Sequence, residues 1–330
     1  MVLYFWFYHY FTSMLSKPEQ SALRADIFRH LDGIVTAPIA FALHNNNVTS
    51  SILKKEVVNV SVLAAEFNAN EGYLNVALRV LASQGWLNQI VNNETDQIQY
   101  ACNDKSEFAF SLFYLYKDIV DLMSISGKHH PRKFSVEAFN VMEKICANYQ
   151  NKFGLAESSN PILQEVQNQV LKHIEGALIG PTIVHLGMGG MFHKYFMEAS
   201  FRADEYHENP ESFYKLLSFF TYLGWFKQKN ETFQFTDRGL FFARRASSYG
   251  VTVSYLPMFR HTQDFIFGDA KKLRELSDGE DEKHVDRAMN VWGSGGAHAT
   301  YFKRIDEIVI ELFNRPIEDQ PKGILEMGCG

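Results

Sequence analysis

Cysteine is scarce in this chain. Cys102, Cys146 and Cys329 are far apart and odd in number. That excludes a disulfide framework and a cysteine-based zinc spacing, and it suits a reducing cytosol. No apolar run reaches the roughly 18 residues a membrane-crossing helix needs. Basic residues are not in excess: 32 Lys and Arg stand against 38 Asp and Glu, a net charge of −6. No global field therefore draws the chain to nucleic acid or to an acidic membrane. The N-terminus lacks the basic segment and small-residue cleavage site of a secretory signal. The expectation is a cytoplasmic protein without a nucleic-acid or membrane partner.

What is present is apolar and aromatic. At 330 residues, 46% hydrophobic and 14% aromatic, the chain can bury two or three cores. Tyr4 to Phe11 holds seven aromatics in eight residues. We expect residues 1–20 to be a tail, with the ordinary start of the protein near Met14.

An internal repeat organises the chain from there to Gly250. Leu78 to Gln89 contains Gly85-Trp86, and Leu217 to Gln228 contains Gly224-Trp225. Each reads as an apolar helix ended by a glycine C-cap, then a strand opening at tryptophan, a polar turn and a second strand. Gln97 to Cys102 and Thr232 to Thr236 alternate as half-buried strands do. Upstream, Ile34 to Pro38 and Ala177 to Pro181 stand at nearly the same offset as the Gly-Trp pairs and are expected to head comparable apolar helices. Three helices and a two-stranded wing are the winged-helix pattern, here present twice, at 21–104 and 165–250.

A DNA-reading role needs Arg or Lys aimed at phosphates and base edges. The first candidate groove helix, Glu71 to Ser83, carries only Arg79, and the second, Glu211 to Leu223, only Lys215. Such apolar units are better suited to packing on a partner or on another domain. Between them, 105–164 reads as a helical connector whose Phe108, Phe110, Leu112, Phe113, Leu115 and Tyr116 are candidate core. His129 and His130 are adjacent and point apart, which disfavours a metal pair. Gly187 to Met191 lacks the Lys and Ser/Thr of a phosphate loop and reads as a turn between helices.

Residues 251–322 read as a helical lid. Asp278 to Glu282 should cap a helix running from about Asp281 to Trp292. A glycine-rich break, Gly293-Ser294-Gly295-Gly296, should precede a second helix from Ala297 to about Asn314. On it His298, Phe302, Ile305, Val309 and Leu312 form one stripe. Only eight residues, Arg315 to Lys322, connect this helix to the strand that follows, so the two should run antiparallel. The helix start would then lie near the ligand-binding end of that strand. Free backbone N–H groups, close-approach glycines and a histidine there make Ser294 and His298 candidates for substrate contact and acid–base work. Tyr301 and His284 are further candidates.

The last eight residues, Gly323-Ile324-Leu325-Glu326-Met327-Gly328-Cys329-Gly330, read as a buried parallel strand entering a glycine turn. Glu326, two residues before Gly328, makes this segment resemble motif I of the Rossmann-like S-adenosylmethionine (SAM) methyltransferases, whose pattern is acidic-x-Gly-x-Gly-x-Gly. The third glycine and the acidic residue that holds the ribose would lie beyond Gly330. His284 to His298, with Gln320 to Ile324, also resembles the methyltransferases of polyketide and related secondary-metabolite synthases. Small-molecule O-methyltransferases are similar in placing a winged-helix module ahead of the SAM domain, for dimerisation and substrate covering.

The resemblance implies SAM as cofactor, with Glu326, Gly328 and Gly330 at its edge and His298, Ser294 and Tyr301 as catalytic candidates. It implies a small-molecule or carrier-tethered acyl substrate, methylated at carbon or oxygen, and a homodimer or a synthase partner. Some such enzymes use a bound metal; no ligand set can be assigned here. The expected fold is mainly α (α+β): two winged-helix-like units and a helical lid at 251–322. The first strand of a truncated Rossmann-like SAM domain follows at 323–330, leaving this fragment inactive by itself. The alternative is a winged-helix regulator or interaction module whose Gly-x-Gly end is incidental.

Overall fold

A computed structural model describes residues 15–95, 97–125, 136–271, 282–323 and 325. The first half comprises α1 (Lys17–Asn45), α2 (Val48–Lys55), β1 (Val57–Asn59), α3 (Val60–Glu66), α4 (Glu71–Ser83), β2 (Asn88–Asn92), β3 (Gln97–Ala101), α5 (Ser106–Leu112), α6 (Lys117–Ser124) and α7 (Val136–Gln150). The second comprises α8 (Pro161–Met188), α9 (Lys194–Glu198), β4 (Phe201–Arg202), α10 (Pro210–Tyr222), β5 (Phe226–Lys229), β6 (Thr232–Phe235), α11 (Asp237–Ala243), α12 (Ser247–Ser254), α13 (Leu256–Phe259), α14 (Thr262–Phe267) and α15 (Arg287–Phe313). The molecule is mostly helical, with two small antiparallel sheets.

Both sheets place their third strand in the middle: β1-β3-β2 in one, β4-β6-β5 in the other. Gly85 and Gly224 take φ of 76° and 79°, a left-handed conformation that costs glycine little. Trp86 N then donates to the Leu81 carbonyl and Trp225 N to the Phe220 carbonyl, closing each helix end. Both indoles are fully buried. Trp86 packs on Phe113 and Trp225 stacks on Phe242. The repeat is therefore one local design used twice.

The helices expected to begin at Ile34 and Ala177 begin much earlier. Ser16 caps α1 with a capping box to Glu19, and Asn160 caps α8, each followed by a proline in the first turn. Pro38 and Pro181 lie inside these helices, both buried. In the connector, Phe110, Leu112, Phe113, Leu115 and Tyr116 are buried and Phe108 packs against the core. His129 and His130 lie outside the described residues.

The long helices α1 and α8 cross at glycine. A Cβ on Gly33 would lie 2.3 Å from the His173 Cα, and one on Gly176 would lie 2.1 Å from the His30 Cα. His30, Gly33 and Pro38 stand at one constant offset from His173, Gly176 and Pro181, so the crossing is nearly two-fold symmetric. Each histidine enters the aromatic cluster of the other unit. His173 packs beside Trp86 with its Nδ1 2.9 Å from the Tyr116 hydroxyl, and His30 packs beside Phe242 with its Nδ1 2.7 Å from the Tyr249 hydroxyl.

The symmetry breaks at the outer nitrogens. His30 Nε2 lies 3.2 Å from Glu175 Oε1. Lys172 donates to both Glu175 oxygens and the Tyr149 hydroxyl donates to Oε2. Burial alone would raise the Glu175 carboxyl, but the hydrogen bond and charge of His30, with those of Lys172, hold it down to about 2. His173 Nε2 has no partner among the described residues, and burial, followed by the nearby charges of His30 and Arg29, pushes its pKa down to about 3.

Candidate functional site

The lid segment differs from the sequence expectation at its glycines. Asp286, not the acidic turn before it, caps α15 by accepting from Met289 N at 2.9 Å. The helix then runs unbroken through Gly293, Ser294, Gly295 and Gly296 to Phe313. There is no hinge because two of these glycines serve close packing. A Cβ on Gly293 would meet the Gly250 Cα at 2.7 Å, and one on Gly296 would meet the Ser247 side chain at 2.6 Å. Helix α15 thus lies directly on α12. Asp286 N donates to the Ser254 carbonyl and Asn290 Nδ2 to Ser254 Oγ, fixing the start of the contact.

Past this contact the helix is open. Tyr301 is 68% exposed, and Phe302, Ile305, Ile308 and Ile310 are also exposed. His298 is exposed, its ring 6.1 Å from Tyr301 and 6.2 Å from Phe302. Ser294 is half-buried and its hydroxyl donates to the Val291 carbonyl at 3.3 Å. Spacings of four and seven residues put Ser294, His298 and Tyr301 on one stripe. These three catalytic candidates are thus neighbours on one helix. The cofactor candidates Glu326, Gly328 and Gly330 lie outside the described residues, as does the turn His298 was expected to face.

An apolar cavity of about 530 Å³ lies elsewhere. Val35 and Ile39 of α1 and Tyr73, Val76, Ala77 and Val80 of α4 form one side. Met258 and Phe259 of α13 and Thr262, Phe265 and Ile266 of α14 form the other, and His284 completes it. Its volume is in the usual range for small-molecule sites. The Tyr73 and Phe265 rings stack at 5.0 Å.

Polar contacts tie these walls to each other at their ends. Asn70 N donates to the Ile266 carbonyl at 2.7 Å, and the Asn46 and Gln263 amides bond each other. Within the lining, Thr262 Oγ1 donates to the Phe259 carbonyl. The Tyr73 hydroxyl and the His284 ring have no hydrogen-bond partner among the described residues. A polar cavity of about 580 Å³ borders the α1–α8 crossing at Arg29, Asp32, Lys172 and His173. Lys172 there is already paired with Glu175 and Asp26. Burial raises the Asp32 carboxyl, opposed by a hydrogen bond from Gln84.

Three family models match in chain order: the AprA N-terminal domain over residues 23–89, the AprA winged helix domain over 175–269, and the AprA MT2-like domain over 282–330. The matches are those of a methyltransferase-related protein with a winged-helix module. No curated protein matches the chain. All three matched segments wall the same apolar cavity. Val35 to Val80 come from the first, Met258 to Ile266 from the second and His284 from the third.

Sequence reasoning singled out His284 but not the cavity beside it. The available signal was the apolar, nearly uncharged face of α4, read as a poor DNA-binding surface suited to packing on a partner or on another domain. The opposite wall, α13 and α14, lies far along the chain, and no local pattern connects the two. Among the described residues no group of three His, Cys, Asp or Glu side chains could hold a metal, and no helix is long and apolar enough to cross a membrane.

Proposed function

We propose that this chain forms the substrate-covering region of a SAM-dependent methyltransferase acting on an acyl or polyketide-type small molecule, at carbon or oxygen. The observation that carries the reading is the cavity shared by all three matched segments, with the MT2-like segment contributing its histidine. SAM, when bound, supplies an electrophilic methyl group. Its contacts are assigned by resemblance to Glu326, Gly328 and Gly330, outside the described residues, and no step is built on their geometry.

The chain's own contribution is binding and exclusion of water. Apolar walls from α1, α4, α13 and α14 desolvate and orient the substrate, while His284 offers one polar contact. His298 is the candidate base, with Ser294 and Tyr301 on the same stripe to position a polar group. A homodimer or synthase partner, a carrier-tethered substrate and a cytoplasmic location belong to the same proposal. Against a regulator reading DNA stands the composition of α4, whose only base is Arg79.

The test is methyl transfer by the intact gene product. It is incubated with isotopically labelled SAM and a series of acyl thioesters, and the products are weighed by mass spectrometry. The expected result is one labelled methyl group on the acyl product. Absence of SAM binding, or SAM binding without transfer to any acyl thioester, refutes the assignment.

A further inference from the structure

The geometry points to a specific ligand class for the α1–α4–α14 cavity: the unfunctionalised hydrocarbon chain of an acyl group of about eight to twelve carbons, its carbonyl head toward His284. This rests on the methyltransferase reading and adds to it a binding site and a chain length.

The argument begins with the emptiness of the space. The space is an open cleft whose apolar lining stays partly exposed, Val76 among it, and packed helices ordinarily close on such surface to remove it from water. Here collapse is resisted at two places. The amides of Asn46 and Gln263 tie the end of α1 to α14, and Asn70 N ties the start of α4 to the last turn of α14. Both ties are polar and directional, and both lie at the ends of wall elements. They fix the spacing of the walls without filling the interior. The stacked Tyr73 and Phe265 rings close one contact between the same two walls. The result is a preformed site.

The lining selects the chemistry. Aliphatic and aromatic side chains make up the walls, and no Lys, Arg, Asp or Glu is among them. A sugar, nucleotide or phosphate buried there would lose hydration without replacement bonds. A hydrocarbon loses nothing of that kind. The volume sets the size. An apolar cavity of about 150 Å³ takes one benzene ring, so about 530 Å³ has room for roughly twenty heavy atoms at most. A chain of eight to twelve carbons with its head group fits within that limit.

His284 is the one imidazole among the lining residues. The His284 ring carries two nitrogens without hydrogen-bond partners among the described residues. It sits two residues before Asp286, the cap of α15, on the segment that matches the MT2-like domain. A chain entering tail-first would leave its carbonyl at this residue. His284 would donate one hydrogen bond to it, a positioning role.

The experiment uses the full chain and N-acetylcysteamine thioesters of acetic, hexanoic, octanoic, decanoic and dodecanoic acids, titrated by calorimetry. Affinity should rise about fourfold for each added methylene and level off between ten and twelve carbons. Val80→Phe, which places a ring in the cavity, should weaken decanoyl binding at least tenfold. His284→Ala should weaken every ester by about fivefold without changing the length dependence. Circular dichroism checks that each variant is folded, and the wild-type length series tests the site should Val80→Phe fail that check. Affinity independent of length, or a folded Val80→Phe protein with the wild-type series, overturns the inference. Methyl transfer without length preference would sink this inference alone. Length-dependent binding in a protein that transfers no methyl group would sink the methyltransferase reading and leave the site.

Discussion

Gly33→Ala separates two views of the α1–α8 crossing, because they differ in sign. Taken as a residue in the middle of an exposed helix, glycine is a poor choice, and alanine should stabilise by about 1 kcal/mol. At the crossing the new methyl carbon would instead stand 2.3 Å from both the Cα and the carbonyl oxygen of His173. These are backbone atoms, which no rotamer change can move. The helices must part by about 1 Å to restore ordinary van der Waals contact, and overpacking of this kind costs about 1–3 kcal/mol. The separation also stretches the contact of His173 with Tyr116 and those of His30 with Tyr249 and Glu175. Leaving buried polar groups poorly paired costs about 1–3 kcal/mol each. The net expectation is a loss of roughly 3 kcal/mol or more, a large share of a typical stability of about 5–15 kcal/mol.

The assay is urea unfolding followed by far-ultraviolet circular dichroism. Gly176→Ala should behave alike, since its Cβ would lie 2.1 Å from the His30 Cα. The double variant should lose less than the sum, because one separation relieves both clashes. Gly295→Ala is the control: its Cβ meets nothing within 4 Å, and it should be neutral or stabilising. If Gly33→Ala raises the urea midpoint as Gly295→Ala does, the crossing is not as tight as described and the reasoning fails.

Three further outcomes are expected. His173 stays neutral down to about 3 because burial, reinforced by the charges of His30 and Arg29, disfavours its proton, whereas the unfolded chain takes one up near 6.5. Between these values the unfolded state binds more protons, so stability falls as pH falls. From pH 7 to 5 this group should cost about 2 kcal/mol, and His173→Asn should flatten that part of the urea-midpoint profile; an unchanged slope would assign the acid sensitivity to other groups. Glu175, held low, contributes stability present above its unfolded value near 4.5 and lost below it. His298→Ala in the intact protein should lower methyl transfer by about 10²-fold while leaving the melting temperature alone, since its ring is exposed. Equal losses of activity and of folding would give His298 a structural role instead.

The parts of this fold that were legible in the sequence are those with a local cause. The Gly-Trp pairs could be matched because a left-handed helix end and a buried indole each demand a particular residue at a particular place. Helix starts were read less well: Pro38 and Pro181 look like first-turn prolines, and the true caps, Ser16 and Asn160, lie several turns earlier. The run Gly293 to Gly296 was misread for a physical reason. Glycine permits both a break and a close approach, and only a second helix, here α12, decides between them. Periodicity put His298, Phe302 and Ile305 on one stripe of a helix, and α15 carries them, but Ser294, expected in a break before that helix, lies within it. The apolar cavity was not legible, since its walls meet only after folding. Glu326, Gly328 and Gly330 lie outside the described residues.

The crosswise histidines also bear on how the molecule comes apart. Trp86 with Phe113 and Tyr116 of the connector, and Trp225 with Phe242 and Tyr249, form two aromatic clusters, but the imidazole that packs against each comes from the long helix of the other repeat. Local opening of either one strips the other of a ring and a hydrogen bond. The two copies therefore cannot behave like beads on a string, each with its own unfolding free energy. They form a single cooperative block, and amide hydrogens in α1 and α8 should exchange together at the highest protection in the protein. Duplication here has produced two halves that complete each other, so the chain cannot be divided between them into independently folding pieces.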